Sequence, residues 1–282
     1  MRIKKETLKS PIFILINLML VAIIYLALSY GFVNANKQEE PIPEEIIEEP
    51  EPYTDYKWSN LNRKGHYSYE DDKYTSLFGI DVSAHQGTIN WEKVKNDGVE
   101  FAFIRIGYRG ASEGVLNTDL EFENNYEGAT QNDILTGIYW YSQPISVEEA
   151  IEEADYVLEV LGDRKLDLPI VYDLEKTIFY DGTRTRMVGL TSEDYTAFAV
   201  AFCNEIQKNH HDVMIYMNLD WANNHYIWSQ IEDIPIWFAQ YDAITRLNRA
   251  FQIWQYSEKG YIDGISTNVD LDIMFKQKND QN

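Results

Sequence analysis

From Leu77 onward, short apolar runs alternate with longer segments in which apolar residues recur at helical spacing. The runs "LFGIDVS", "FAFIRIG", "LTGIYWYS", "LPIVYDLE", "VMIYMN", "PIWFAQY" and "FQIWQYS" are rich in β-branched and aromatic residues, which predicts strands. Between them, residues 147–161 carry Val147, Ala150, Ile151, Ala154, Val157, Leu158 and Leu161 on one stripe. Ser146 can cap that helix, Glu149 can complete a capping box, and Gly162 stands just past the end. A second helix is predicted over residues 192–209, capped by Thr191 or Ser192. Strand and helix alternating on this scale imply a parallel sheet. Seven or eight strands predict an α/β fold, a single TIM-like (β/α) barrel, irregular and with fewer helices than eight.

Upstream the pattern changes twice. Residues 11–33, "PIFILINLMLVAIIYLALSYGFV", carry no charge, and Asn17 is their only strongly polar residue. About 20 apolar residues cross a bilayer core as a helix, so this stretch predicts one transmembrane helix. Arg2, Lys4, Lys5 and Lys9 precede it against Glu6 alone, which keeps residues 1–10 cytoplasmic and turns the rest of the chain outward. The competing reading is a cleaved secretion signal, with Val33 and Ala35 at a processing site; the mature chain is then secreted. Residues 34–75 read as an acidic linker. Its part from Asn34 to Lys57 holds four of the chain's eight prolines and eight of its 46 acidic residues, a composition that self-repels and buries too little apolar surface to fold. The barrel is expected over residues 76–277, with a tail at 278–282.

The net charge of −22 argues against nucleic acid as a partner, since that would want clustered Lys and Arg. The single cysteine, Cys203, sits among apolar neighbours at helical spacing and reads as a small buried hydrophobe. In a β/α barrel the active site gathers where the strands end. Asp81 ends the first predicted strand, Tyr139 and Tyr141 the third, Asp173 and Glu175 the fourth, Gln240 and Tyr241 the sixth, Gln255 and Tyr256 the seventh; Asp270 precedes the final apolar residues. Four carboxylates and several aromatics therefore converge on one cleft. Sugar rings pack their C–H faces on aromatic side chains, and paired carboxylates can cleave a glycosidic bond. Clustered acids could also hold magnesium or calcium, although no histidine falls at a ligand spacing. A Gly-rich phosphate loop and a Gly-x-Ser-x-Gly elbow are both absent from the sequence.

The stretches "GIDVSAHQGTINWEKVKNDGVEFAFIRIGYRG", "LPIVYDLEKT", "PIWFAQY" and "QIWQYSEKGYIDGISTNVDLDIMF" resemble, in that order, the family 25 glycoside hydrolases, the N-acetylmuramidases or Chalaropsis-type lysozymes of bacteria and their phages. The resemblance runs from Gly79 to Phe275. It implies a β/α barrel that hydrolyses the β-1,4 bond between N-acetylmuramic acid and N-acetylglucosamine, with peptidoglycan glycan strands as partner; the membrane is the second expected partner, through residues 11–33, and neither cofactor nor metal is expected. Position by position, it implies Asp81, Asp173, Glu175 and Asp270 as active-site acids, with Glu175 as the general acid. Tyr139, Tyr141, Gln240, Tyr241, Gln255 and Tyr256 are the expected substrate contacts. Two positions depart from the family pattern: Trp140 stands where a His is usual, and Asp272 where an Asn is usual. A wall-binding module without catalysis, and a metal-dependent or chitinase-like barrel hydrolase, are the rival readings. The sequence names no protein partner.

Overall fold

In a computed structural model, the described residues are 53, 55–177, 179 and 185–278. The predicted transmembrane span at 11–33, its flank at 1–10 and the acidic stretch up to residue 52 lie outside them, as do residues 279–282. Among the described residues no helix is long and apolar enough to cross a membrane.

A small hairpin, β1 (Leu61–Asn62) and β2 (Ser68–Tyr69), precedes the barrel. Then follow β3 (Tyr74–Val82), helix α1 (Trp91–Asn96), β4 (Phe101–Arg109), the short β5 (Leu116–Thr118), α2 (Phe122–Gln131), β6 (Leu135–Ser142), α3 (Val147–Leu161), β7 (Ile170–Leu174), α4 (Ser192–Lys208), β8 (Val213–Asn218), α5 (Leu219–Asn224), β9 (Ile236–Ala239), β10 (Ile253–Gly260) and β11 (Val269–Gln277). Strands β3, β4, β6, β7, β8, β9 and β10 run parallel in that order, while β11 is antiparallel to both β10 and β3 and closes the barrel. The fold thus departs from a regular β/α repeat. No helix joins β9 to β10, and β10 turns directly into β11 across residues 261–268. A parallel return needs a crossover of a dozen or more residues, so that connection can only support an antiparallel strand.

The two faces of the barrel wall bury different side chains, as strand alternation requires. Phe101, Phe103, Val171, Met214, Trp237 and Ile253 point inward and fill the lower barrel. Phe103 stacks on Trp237 with ring centroids 4.8 Å apart. Gly79 has no side chain where the Phe101 ring passes, and a Cβ there would collide with it. The opposite face carries Ile104, Trp140, Tyr172, Phe238 and Trp254 into the outer core, where Phe202 of α4 packs on Tyr172 and Tyr67 on Trp254. Full burial of such side chains contributes about 1.5–3 kcal/mol each.

Helix α3 has the bounds its apolar stripe predicts, with the Ser146 hydroxyl accepting from Glu149 N–H and Gly162 closing it at φ +56°. The expected box forms only in part, because the Glu149 carboxylate reaches one residue further back, to Ile145 N–H, and pairs with Arg186. Helix α4 ends at Lys208 and is capped by Thr191, with Asp194 completing a box. Cys203 is buried in it, and burial pushes its thiol up to about 12.

The expected linker of residues 34–75 extends too far. Tyr56, Leu61, Tyr69 and Tyr74 are buried in the outer core at the foot of the barrel. Tyr56 stacks on Phe275 at 3.9 Å and donates to Phe251 O at 2.6 Å. Aromatic side chains at those positions supply the apolar surface that the Pro- and Glu-rich part lacks.

Candidate active site

The C-terminal ends of the parallel strands and the start of the antiparallel β11 meet at one mouth of the barrel. There they form a cleft of about 340 Å³ lined by Asp81, Arg105, Tyr139, Tyr141, Asp173, Glu175, Tyr216, Trp237, Tyr241, Gln255, Glu258 and Asp270. All four sequence-predicted acids are in it. Asp270 arrives from the other direction, at the start of its strand, and lies opposite Asp81 in the β11–β3 register.

Asp81 is 7% exposed, and its Oδ2 accepts from Gln255 Nε2 at 2.7 Å. The Gln255 carbonyl oxygen in turn accepts from the hydroxyls of Tyr216 at 2.9 Å and Tyr241 at 2.8 Å. This chain of donors fixes the amide so that its N–H₂ faces Asp81. Asp173 pairs in register with Tyr141 on one side and Tyr216 on the other, and its Oδ1 is buried with no donor in the structure. Glu175 is the first residue beyond β7 and is partly exposed; Gln143 Nε2 holds its backbone carbonyl at 2.6 Å. The Gln143 Oε1 accepts from Thr177, whose hydroxyl meets that of Tyr141 at 2.9 Å. Among the described residues, Arg105 is the one cation lining the cleft, and Asp119 anchors its Nε at 2.7 Å.

The electrostatics follow from putting carboxyls in a partly dry cleft. Burial, followed by the charges of Asp270 and Asp272, holds Asp81 well above the usual carboxylate range. Burial and the Glu175 charge do the same to Asp173, against the pull of Arg105. Glu175 is raised by burial and by Asp270. Asp270 is pushed up to about 6 by burial and by Glu258. A carboxyl that keeps its proton near neutrality can deliver it to a leaving oxygen, and a neighbouring ionised one can stabilise positive charge on a sugar.

Two expected substrate contacts lie elsewhere. Gln240 does not line the cleft; its amide ties the following loop, donating to Asp242 Oδ2 at 2.8 Å and accepting from Arg246 N–H at 2.7 Å. Tyr256 points to the outer layer, where it stacks on Tyr67 at 4.0 Å. Trp140, at the first departure from the family pattern, is fully buried in that outer layer beside Tyr156 and does not reach the cleft. Asp272, at the second, is fully buried inside the barrel wall. Arg105, Tyr216, Trp237 and Glu258 line the cleft without having been singled out from the sequence.

Residues 80–265 match the profile of the glycosyl hydrolases family 25. The autolytic lysozyme of Clostridium acetobutylicum is 26% identical over 195 residues, covering 69% of this chain and 54% of that protein. Lysozyme M1 of Streptomyces globisporus is 30% identical over 202 residues, covering 68% of this chain and 65% of that protein. The chain therefore spans between half and two thirds of the length of these curated relatives. Among solved structures, the bacterial lysozyme from Streptomyces coelicolor superposes with a TM-score of 0.58 at 27% identity, covering 72% of this chain and 92% of that one. The modular autolysin LytC from Streptococcus pneumoniae, solved with a synthetic peptidoglycan ligand, gives 0.64 at 19% identity over 77% of this chain and 52% of that one, a likeness of fold. On a match that covers more than half of its length and contains three of the four sequence-predicted acids, Asp81, Asp173 and Glu175, the chain belongs to the family 25 glycosyl hydrolases.

Proposed function

We propose that the chain is a peptidoglycan hydrolase that cleaves the β-1,4 bond between N-acetylmuramic acid and N-acetylglucosamine. One observation carries this reading: Asp81, Asp173, Glu175 and Asp270 converge in a single aromatic-walled cleft on a family 25 barrel. The names of the similar proteins, lysozymes from two bacteria among them, support the same substrate class.

Glu175, raised by burial and by Asp270, protonates the leaving glycosidic oxygen as the C1–O bond breaks. Asp173 either attacks C1 or orients the substrate's acetamido oxygen to attack it, forming the C1–O bond that water must break. Water then attacks C1 and returns a proton to Glu175, so the product keeps its β configuration. Purified peptidoglycan incubated with the enzyme should release new reducing ends carried by muramic acid, identified by mass. Binding without new reducing ends is the outcome that leaves only a wall-binding module. Ends carried by N-acetylglucosamine overturn the bond assignment.

We also propose that the barrel is tethered to the outer face of a cell membrane by residues 11–33. Supporting this are the uncharged length of that stretch and the basic cluster before it. Protease added to intact cells should release the barrel; release only after lysis overturns the orientation.

A further inference from the structure

Asp272 lies on β11 two residues beyond Asp270, so its side chain enters the barrel on the same face, one layer deeper. Its cross-strand neighbours are Gly79 on β3 and Gln255 on β10. Trp237 Nε1 donates to its Oδ1 at 2.8 Å. Its Oδ2 is fully buried, and no donor reaches it. In the β11–β3 register Asp270 faces Asp81 and Asp272 faces Gly79, so the Asp272 and Asp81 carboxyls are diagonal neighbours on the inward face, and Asp81 Oδ2 is already occupied by Gln255. Left ionised, this arrangement combines two penalties: a buried acceptor without a partner, and two neighbouring negative charges. A single proton between the two carboxyls removes both.

We propose that Asp272 is a positioning residue which, as the neutral acid, donates a hydrogen bond to Asp81, so that Asp81 keeps its negative charge and its orientation toward the sugar. The proposal rests on the reading of this cleft as a glycosidase site. The proton belongs on Asp272 because Asp272 has no solvent exposure, whereas Asp81 borders the cleft, where water and the developing positive charge of the substrate favour the anion. The titratable groups around Asp272 are Asp81 on β3, Asp270 on its own strand and Tyr256 on β10, and none is a cation. Asp173 on β7 acts on the pair through Asp81. Burial and these neighbours push Asp272 well above the usual carboxylate range, against the Trp237 hydrogen bond, and they push Asp81 up as well, so the pair holds a shared proton and the cleft-side exposure of Asp81 decides which carboxyl keeps it.

The test uses the full chain labelled at the aspartate carboxyl carbons. The resonance that disappears in Asp272→Asn should read as protonated at about pH 7, while the resonance lost in Asp81→Asn should read as ionised. The reverse assignment, or an ionised Asp272, overturns the proposal whether or not the enzyme hydrolyses peptidoglycan, and the Asp81→Asn arm together with the wild type settles it if Asp272→Asn does not fold. Turnover supplies the second readout. Asp272→Asn, whose amide still donates, should stay within about threefold of the wild type, whereas Asp272→Ala should lose on the order of tenfold to a hundredfold, the scale of one hydrogen bond to a charged group. Equal activity of the two variants overturns the proposal. A wild type that releases no reducing ends, with the resonances as expected, overturns the functional reading and leaves the carboxyl pair standing.

Discussion

Glu175 stands just past the end of β7, where Gln143 holds its backbone and the cleft leaves its side chain partly exposed. Replacing it with Gln keeps the shape and removes the proton, so turnover should fall by on the order of 100-fold or more with binding retained. Reducing-end release and a pelleting assay on purified walls measure the two quantities. The neighbouring charge can be tested through pH. Asp270 raises Glu175, and if Glu175 is the general acid, activity should fall on the alkaline side as it gives up its proton. In Asp270→Asn that negative charge is gone, the value for Glu175 drops, and the alkaline limb of kcat/KM should move to lower pH. An unmoved limb means that another group sets it. At this scale the acids were legible because carboxylates at the ends of apolar strands have no packing role. Arg105 was legible too, since it follows Phe101 and Phe103 on alternate positions of β4 and shares their inward face. Gln255 and Tyr256 are adjacent on one strand, so only one of them can face the cleft, and the structure gives that place to Gln255. Glu258 was hidden by the bulges in the pairing of β10 with β11, which break the alternation between Gln255 and Gly260.

Helix α3 is joined to the strand ends beneath the cleft by one buried ionic cluster. Glu153 is fully buried, accepts from Arg109 Nε at 2.8 Å and from Gln143 N–H at 3.2 Å, and bonds the Ser142 hydroxyl. Arg109 is only 3% exposed and also meets Glu152 at 2.7 Å. Glu153→Ala removes the most buried partner and leaves the guanidinium short of charge, so it should destabilise the fold by about 3 kcal/mol, read by urea unfolding. Burial raises Glu153 to about 7 even beside Arg109. A carboxyl whose folded value lies above its unfolded one favours the fold at low pH, and that contribution fades as pH rises toward the folded value. Stability of the wild type should therefore decline between about pH 5 and 7, and the decline should be shallower in Glu153→Gln. Helix α3 was readable residue by residue, since a cap, a stripe and a closing glycine all agree. The direction of β11 was not read from its apolar pattern, which is the same for either direction, but the brief connection at 261–268 carried it.

At the scale of the whole molecule, the unresolved question from sequence was where the acidic stretch stops and the barrel begins. Composition put that boundary at residue 76, because Tyr and Lys interleaved with acids look the same in a stalk as in a packed foot. The contacts put it near residue 50: the compact unit runs from Pro50 to Asn282, and Tyr53 N–H already bonds Leu247 O at 2.8 Å. Tyr56 covers Phe251 and Phe275, and Trp58 lies edge-on to Trp254 at 5.5 Å. Tyr56, Leu61 and Tyr69 each bury a side chain worth roughly 1.5–3 kcal/mol, on the order of 6 kcal/mol together. Net stability of a typical domain is only about 5–15 kcal/mol. A chain that starts at residue 50 should therefore melt cooperatively and keep whatever reducing-end release the full chain shows, while one that starts at residue 76 should be unfolded or aggregate, with Phe275, Phe251 and Trp254 uncovered. Thermal unfolding of the two chains side by side decides this. If the shorter chain melts at the same temperature as the longer one, the aromatic foot adds nothing to the barrel, and the boundary drawn from composition is the correct one.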